Sequence, residues 1–272
     1  KPKDKAFNLV FYDQRGAGKT QLKNHSTADE VNFEVLLQDL YETIAYLRVK
    51  YPGKRILLLG HSWGSTLGIE YVRRHMDTVD AYIGCGQVVD FKKEEMRAKE
   101  HLHKVISELG DEDGLTELAV CGDYPWNLEP ETAMNEIQRF RLLQMRFGDS
   151  GFRGGDELTE IMLTNSPIFG EEDMDILQNY LYVNAHLIGE TLASYSVEDF
   201  KKYSIPIYFV QGENDYQTTT SYVEDYFEVL DAPDKKFYCL KDTGHLLYLE
   251  EPDLYNDMIR EICKRVEKCY AK

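Results

Sequence analysis

At 272 residues with 43% hydrophobic content, the chain has material for one large domain or a domain plus an insertion, which argues against a disordered or fibrous protein. A formal net charge of −17 argues against nucleic acid and anionic membranes as partners, because phosphate binding depends on clustered lysine and arginine. The same acidity mildly favours a cationic ligand such as a free peptide amine.

The apolar run at residues 7–12 predicts a strand, and a loop at 13–18 follows it. Phe33, Leu36, Leu37, Leu40, Ile44 and Leu47 recur at helical spacing, predicting an amphipathic helix that ends before Pro52-Gly53. Residues 55–59 predict a strand, 65–75 a helix and 79–88 another strand, and such alternation implies a parallel sheet covered on both faces. From 90 to 200 the alternation stops and the text turns helical and charged, with helices predicted at 94–109, 131–147 and 172–188. This stretch reads as an inserted helical cap, leaving 1–89 and 201–272 as the core; residues 148–155, with four glycines, read as a flexible link inside it. Strands at 206–211 and 236–240 resume the alternation. A last helix at 252–268 puts Pro252 at its first position and Leu254, Met258, Ile262 and Val266 on one face.

The chemistry starts at Gly60-His61-Ser62-Trp63-Gly64, directly after the apolar Ile56-Leu57-Leu58-Leu59 and before a helix, which is the setting a G-x-S-x-G nucleophile elbow requires. Ser62 is the candidate nucleophile, and Gly60 and Gly64 are expected to give the strained turn room to close. Asp215 lies in the loop Gly212-Glu213-Asn214-Asp215 leaving one strand, and His245 in the loop Asp242-Thr243-Gly244-His245 leaving another. The order serine, acid, histidine is that of the α/β-hydrolase arrangement. A serine hydroxyl needs an imidazole to take its proton, and the imidazole needs a carboxylate to fix its tautomer and stabilise its cation. Asp215 is favoured over Glu213 as that acid.

Other patterns carry less. Gly148-Asp149-Ser150-Gly151 echoes a motif of all-β proteases, but Ser150 lies among predicted helices. Gly16-Ala17-Gly18-Lys19-Thr20 ends like a P-loop, yet position 13 is Asp13 where that pattern needs glycine, so Asp13 and Arg15 are read as holding the loop together. His101 and His103 face different ways on a helix, which argues against a shared metal, and both are expected at the surface. His61 is expected to pack or to bond backbone. Five scattered cysteines without C-x-x-C spacing indicate neither a disulfide framework nor a zinc site, so a reducing, cytoplasmic setting is expected. No run has the length to cross a bilayer.

Asp13-Gln14-Arg15-Gly16-Ala17-Gly18, Gly60-His61-Ser62-Trp63-Gly64-Ser65, Gln211-Gly212-Glu213-Asn214-Asp215 and Gly244-His245 before Glu250-Glu251-Pro252 together resemble the proline iminopeptidase branch of the α/β-hydrolases. The resemblance covers both flanks of the chain well and its middle poorly. It implies an α/β-hydrolase fold with a helical cap, a Ser62-His245-Asp215 triad, no cofactor and no metal. The implied substrate is a short peptide losing its N-terminal residue, often proline; a small carboxylic ester is the alternative, and a non-catalytic relative or fragment the third. An elbow serine argues against epoxide hydrolases and dehalogenases, which use aspartate there. The family's His-Gly-Gly-Pro-Gly loop, which supplies half of the oxyanion hole, has no counterpart here, so the chain is expected to be an N-terminally incomplete hydrolase in which the Trp63 backbone N–H is the one oxyanion donor that can be named. Cap carboxylates grip the substrate's ammonium group in such enzymes, but Glu157, Glu160, Glu171, Glu172 and Glu190 sit in no family motif and read as surface charge.

Overall fold

A computed structural model of the chain describes residues 7–129, 132–147 and 174–271. Among the described residues four strands, β1 (Leu57–His61), β2 (Ala81–Cys85), β3 (Ile207–Gly212) and β4 (Lys235–Leu240), form one sheet in the order β1-β2-β3-β4. All three pairings are parallel, with Leu57 opposite Ala81, Tyr82 opposite Ile207 and Ile207 opposite Lys235. β2 and β3 are buried along their whole length, as expected of central parallel strands covered on both faces. Their side chains alternate between two cores. Tyr82, Ile207 and Phe209 pack with Leu36, Leu40 and Ile69 on one face, while Ala81, Ile83, Tyr208 and Val210 pack with Ile262 and Val266 on the other.

Helices α1 (Gly18–Asn24), α2 (Phe33–Lys50) and α3 (Trp63–His75) precede β2 in the chain. α2 starts where Asn32 accepts a hydrogen bond from the N–H of Val35 at 3.0 Å, and it buries Leu36, Leu37, Leu40 and Ile44. Between β2 and β3 run α4 (Phe91–Leu109), α5 (Glu112–Val120), α6 (Ala133–Arg146) and α7 (Met174–Ser194). α4 to α6 share a core of their own, built on Phe91, Leu102, Ile106, Tyr124, Phe140 and Leu143. After β3 come α8 (Thr220–Glu228), α9 (Leu247–Glu250) and α10 (Pro252–Cys269). α10 begins on Pro252 and buries Ile262 and Val266, roughly 1.5–3 kcal/mol each. Leu254, predicted on the same face, is 52% exposed on the first turn.

Residues 7–12 correct the sequence reading. They join no strand among the described residues, and Phe11 is 83% exposed. A strand exists only where a neighbour takes its N–H and C=O groups. Tyr12, the last residue of the segment, lines a cleft of about 290 Å³ together with Leu58 and Leu59 of the edge strand β1. Local β-propensity cannot see whether a segment has a pairing partner. Residues 148–155, with Ser150, lie outside the described residues, as do Glu157, Glu160, Glu171 and Glu172. Among the described residues no helix is long and apolar enough to cross a membrane.

Candidate active site

β1 delivers the chain to Ser62, which sits at φ 53° and ψ −121° between the strand and the first turn of α3. A non-glycine residue at positive φ is strained and persists only where its surroundings over-determine it. Here they do: the Ser62 N–H donates to the Cys85 carbonyl at 3.0 Å, and the Ser62 carbonyl accepts from Ser65 N at 2.8 Å and from Ser65 Oγ at 2.6 Å. Ser65 Oγ in turn accepts from the N–H of Val88 at 2.9 Å, tying the elbow to the end of β2. Gly60 has the expected steric reason, since a Cβ there would lie 2.3 Å from the Gly64 carbonyl oxygen. Gly64 does not: a Cβ at that position meets nothing within 4 Å and would point into open space.

Asp215 and His245 meet at the same sheet edge, 2.8 Å apart between Oδ2 and Nδ1 and almost wholly buried. Asp215 leaves β3 in a turn that closes on its own carboxylate. Oδ1 accepts from the N–H groups of Gln217 and Thr218, both at 2.9 Å, and Oδ2 accepts from Thr218 Oγ1 at 2.7 Å. Burial alone would raise its pKa, but the charge and hydrogen bond of His245 and the donors of Thr218 outweigh it and hold the carboxyl below its ordinary range. Glu213, the rival acid, is exposed, and its carboxylate accepts from the N–H of Asp242 at 2.9 Å. The two loops cross so closely at Gly212 that a Cβ there would lie 2.2 Å from the Gly244 carbonyl oxygen.

Ser62 reaches this edge through its neighbours. Its hydrogen-bond partner Cys85 precedes Gly86, whose φ is +50° and where a Cβ would lie 3.0 Å from the His245 ring at Cε1. His61, the residue before Ser62, donates from Nε2 to the His245 carbonyl at 3.0 Å, with the two rings 4.8 Å apart. Burial first, then the charge of His245, pulls the His61 pKa down to about 4, so the ring is neutral at pH 7. The expectation that His61 bonds backbone therefore holds.

Trp63 is the first residue of α3, where backbone N–H groups have no carbonyl partner within the helix. Its indole donates to Gln14 Oε1 at 3.1 Å, and Gln14 Nε2 reaches Asn184 Oδ1 on α7 at 3.3 Å. Asn184 also donates to the Gly16 carbonyl at 2.7 Å, so the loop at 13–18 is clasped between the elbow and α7. Within that loop Arg15 pairs bidentately with Asp39 at 2.8 and 2.9 Å, and Asp13 accepts from the N–H of Lys19 at 2.8 Å. Those are structural roles, as the sequence predicted.

His101 is a correction. It is half-buried, stacked on Tyr216 at 3.8 Å, whereas His103 is exposed. Glu190 is exposed beside His186. No group of three or more metal-binding side chains occurs among the described residues. Sequence reasoning missed buried polar side chains behind the site, among them Glu95, Gln144 and Gln87, because charged and amide residues in an amphipathic helix or a loop read as surface.

Solved structures assign this arrangement to the α/β-hydrolase fold. The proline iminopeptidase of Mycobacterium smegmatis matches with a TM-score of 0.56, covering 94% of this chain and 79% of that one at 17% identity. Sequence comparison narrows the fold to a family: the description "serine aminopeptidase, S33" fits residues 3–141, half of the chain, and the chain belongs to that family. The probable aminopeptidase YbaC of Bacillus subtilis (strain 168) is 26% identical over 253 residues, covering 92% of this chain and 77% of that protein. A proline iminopeptidase of Heyndrickxia coagulans is 22% identical over 272 residues, covering 95% and 82%. The chain is thus a hydrolase-family member of the proline iminopeptidase-like branch.

Proposed function

We propose that this chain is a serine hydrolase that releases the N-terminal residue, proline among them, from short peptides, with residues 90–200 acting as the cap over a Ser62-His245-Asp215 triad. The observation that supports it most is the buried 2.8 Å contact between Asp215 and His245 at the edge where Ser62 is held strained between strand and helix. Asp215 fixes the proton on His245 Nδ1 and leaves Nε2 as the base. His245 Nε2 takes the proton of Ser62 Oγ as Oγ bonds to the scissile carbonyl carbon, and the carbonyl π pair moves onto oxygen. The Trp63 N–H faces that oxyanion. Collapse breaks the C–N bond as the imidazolium returns its proton to the leaving amine; water then repeats the sequence on the acyl-serine, freeing the acid. Names of the relatives and the negative charge that suits a free ammonium group favour the peptidase over the ester reading. The same proposal puts the protein in the cytoplasm, in keeping with five free cysteines.

Prolyl and other aminoacyl arylamides assayed beside short p-nitrophenyl esters test it. Arylamide turnover that disappears in Ser62→Ala, together with fluorophosphonate labelling, is the expected result. Turnover of esters alone refutes the peptidase assignment, and labelling that survives Ser62→Ala refutes the nucleophile.

A further inference from the structure

The two N–H groups that orient Asp215 belong to consecutive peptide units. Each unit is rigid and planar, so the N–H of one residue moves with the C=O of the residue before it. The carbonyls concerned are those of Tyr216 and Gln217, and both are gripped from helix α6. Gln144 Nε2 donates to the Tyr216 carbonyl at 3.2 Å, and Arg141 Nη2 donates to the Gln217 carbonyl at 3.5 Å. Arg141 and Gln144 stand three residues apart on one helix face, where side chains meet, and Arg141 Nη1 donates to Gln144 Oε1 at 2.7 Å. Behind them Glu95 of α4, with a fully buried side chain, pairs with Nη1 and Nη2 of Arg141 and accepts from the Tyr124 hydroxyl. A buried ion pair is poor evidence of stability, because an apolar cluster of the same volume is often at least as stable. What the polar cluster does that leucines could not is aim two donors at the backs of two particular peptides. Hydrogen bonds in such chains polarise one another, so a donor on the carbonyl strengthens the N–H bond to the carboxylate on the other side.

We propose that Gln144 and Arg141 are positioning residues for the reaction: from α6 they hold the two peptide groups whose N–H bonds aim Asp215 at His245, so that the helices between β2 and β3 set the geometry of the acid. The proposal rests on the reading of Asp215 as the triad's acid. Any shift of α6 relative to the sheet moves both peptides and the carboxylate with them.

The test is a double-mutant cycle on the full chain, with p-nitrophenyl acetate turnover and the rate of fluorophosphonate labelling as readouts. Gln144→Met keeps the volume and removes the donor; Gln144→Glu keeps the acceptor for Arg141 and removes the donor. Each is expected to lower kcat by roughly ten- to a hundredfold with KM unchanged, the scale of a misplaced catalytic group. Asp215→Asn is expected to lose roughly ten-thousandfold. In that background Gln144→Met should change kcat by less than about twofold, since its effect passes through the carboxylate. Losses that multiply in the double mutant, or wild-type turnover in Gln144→Met, overturn the proposal. Near-normal turnover in Asp215→Asn alone refutes the acid assignment itself, a separate result. Far-ultraviolet circular dichroism checks folding, and if Gln144→Met does not fold, Arg141→Lys, which keeps a cation for Glu95, carries the same comparison.

Discussion

Acid should destabilise this protein through His61, and the size of the effect follows from its surroundings. The ring is held near pKa 4 in the folded chain against 6.5 when unfolded. Between those values the unfolded chain binds a proton that the folded chain does not, so stability rises with pH across this window. The penalty is absent above pH 6.5 and complete below about pH 4. Over about 2.5 pH units, at 1.36 kcal/mol per unit, it reaches about 3 kcal/mol. That is an upper value, because His61 keeps some exposed surface. His61→Gln keeps an N–H donor within reach of the His245 carbonyl but removes the titration. Urea unfolding of both proteins at pH 7, 6, 5 and 4, followed by circular dichroism, measures the difference. Wild type is expected to lose about 3 kcal/mol more than His61→Gln between pH 7 and pH 4. If the two lose stability in parallel, to within about 1 kcal/mol, the claim that burial keeps this ring neutral is wrong.

Two further substitutions separate neighbouring residues that look alike in the sequence. Gly60→Ala drives a methyl to 2.3 Å from a backbone oxygen, so its unfolding free energy should fall by about 3 kcal/mol. Gly64→Ala meets open space on a helix and should be neutral or stabilising by about 0.5 kcal/mol; equal losses in thermal melts of the two would contradict the geometry. Glu213→Gln should leave kcat within about twofold of wild type while Asp215→Asn loses roughly ten-thousandfold, because only Asp215 touches His245. The reverse order in a p-nitrophenyl ester assay would transfer the acid's role to Glu213.

The identities of Ser62, Asp215 and His245 as candidates, the parallel sheet and, among the described residues, the helices Phe91–Leu109 and Ala133–Arg146 were all legible in the text of the chain. Each depends on local chemistry: hydrophobic runs of strand length, a small-residue turn between strand and helix, and polar residues on loops after strands. The start of the last helix was also legible, because Pro252 acts on the first turn of its own helix. Contacts between distant segments were not legible. The sequence favours Asp215 over Glu213, two residues apart on one loop, but only the fold separates their contacts: the crossing of two backbones at Gly212 turns one carboxylate toward His245 and leaves the other on a loop N–H. Residues 7–12 have the composition of a strand, but pairing is a property of two segments, and no neighbour stands beside this one among the described residues. Glu95 and Gln144 read as helix surface and lie in the interior, because the faces of α4 and α6 that carry them close on each other and on the acid loop. The sequence determined which chemistries are available, since those reside in single side chains and their immediate neighbours. The tertiary structure decided which side chains are dry, which are paired and which way they point, because desolvation and hydrogen-bond direction arise only when segments far apart in the chain are packed together.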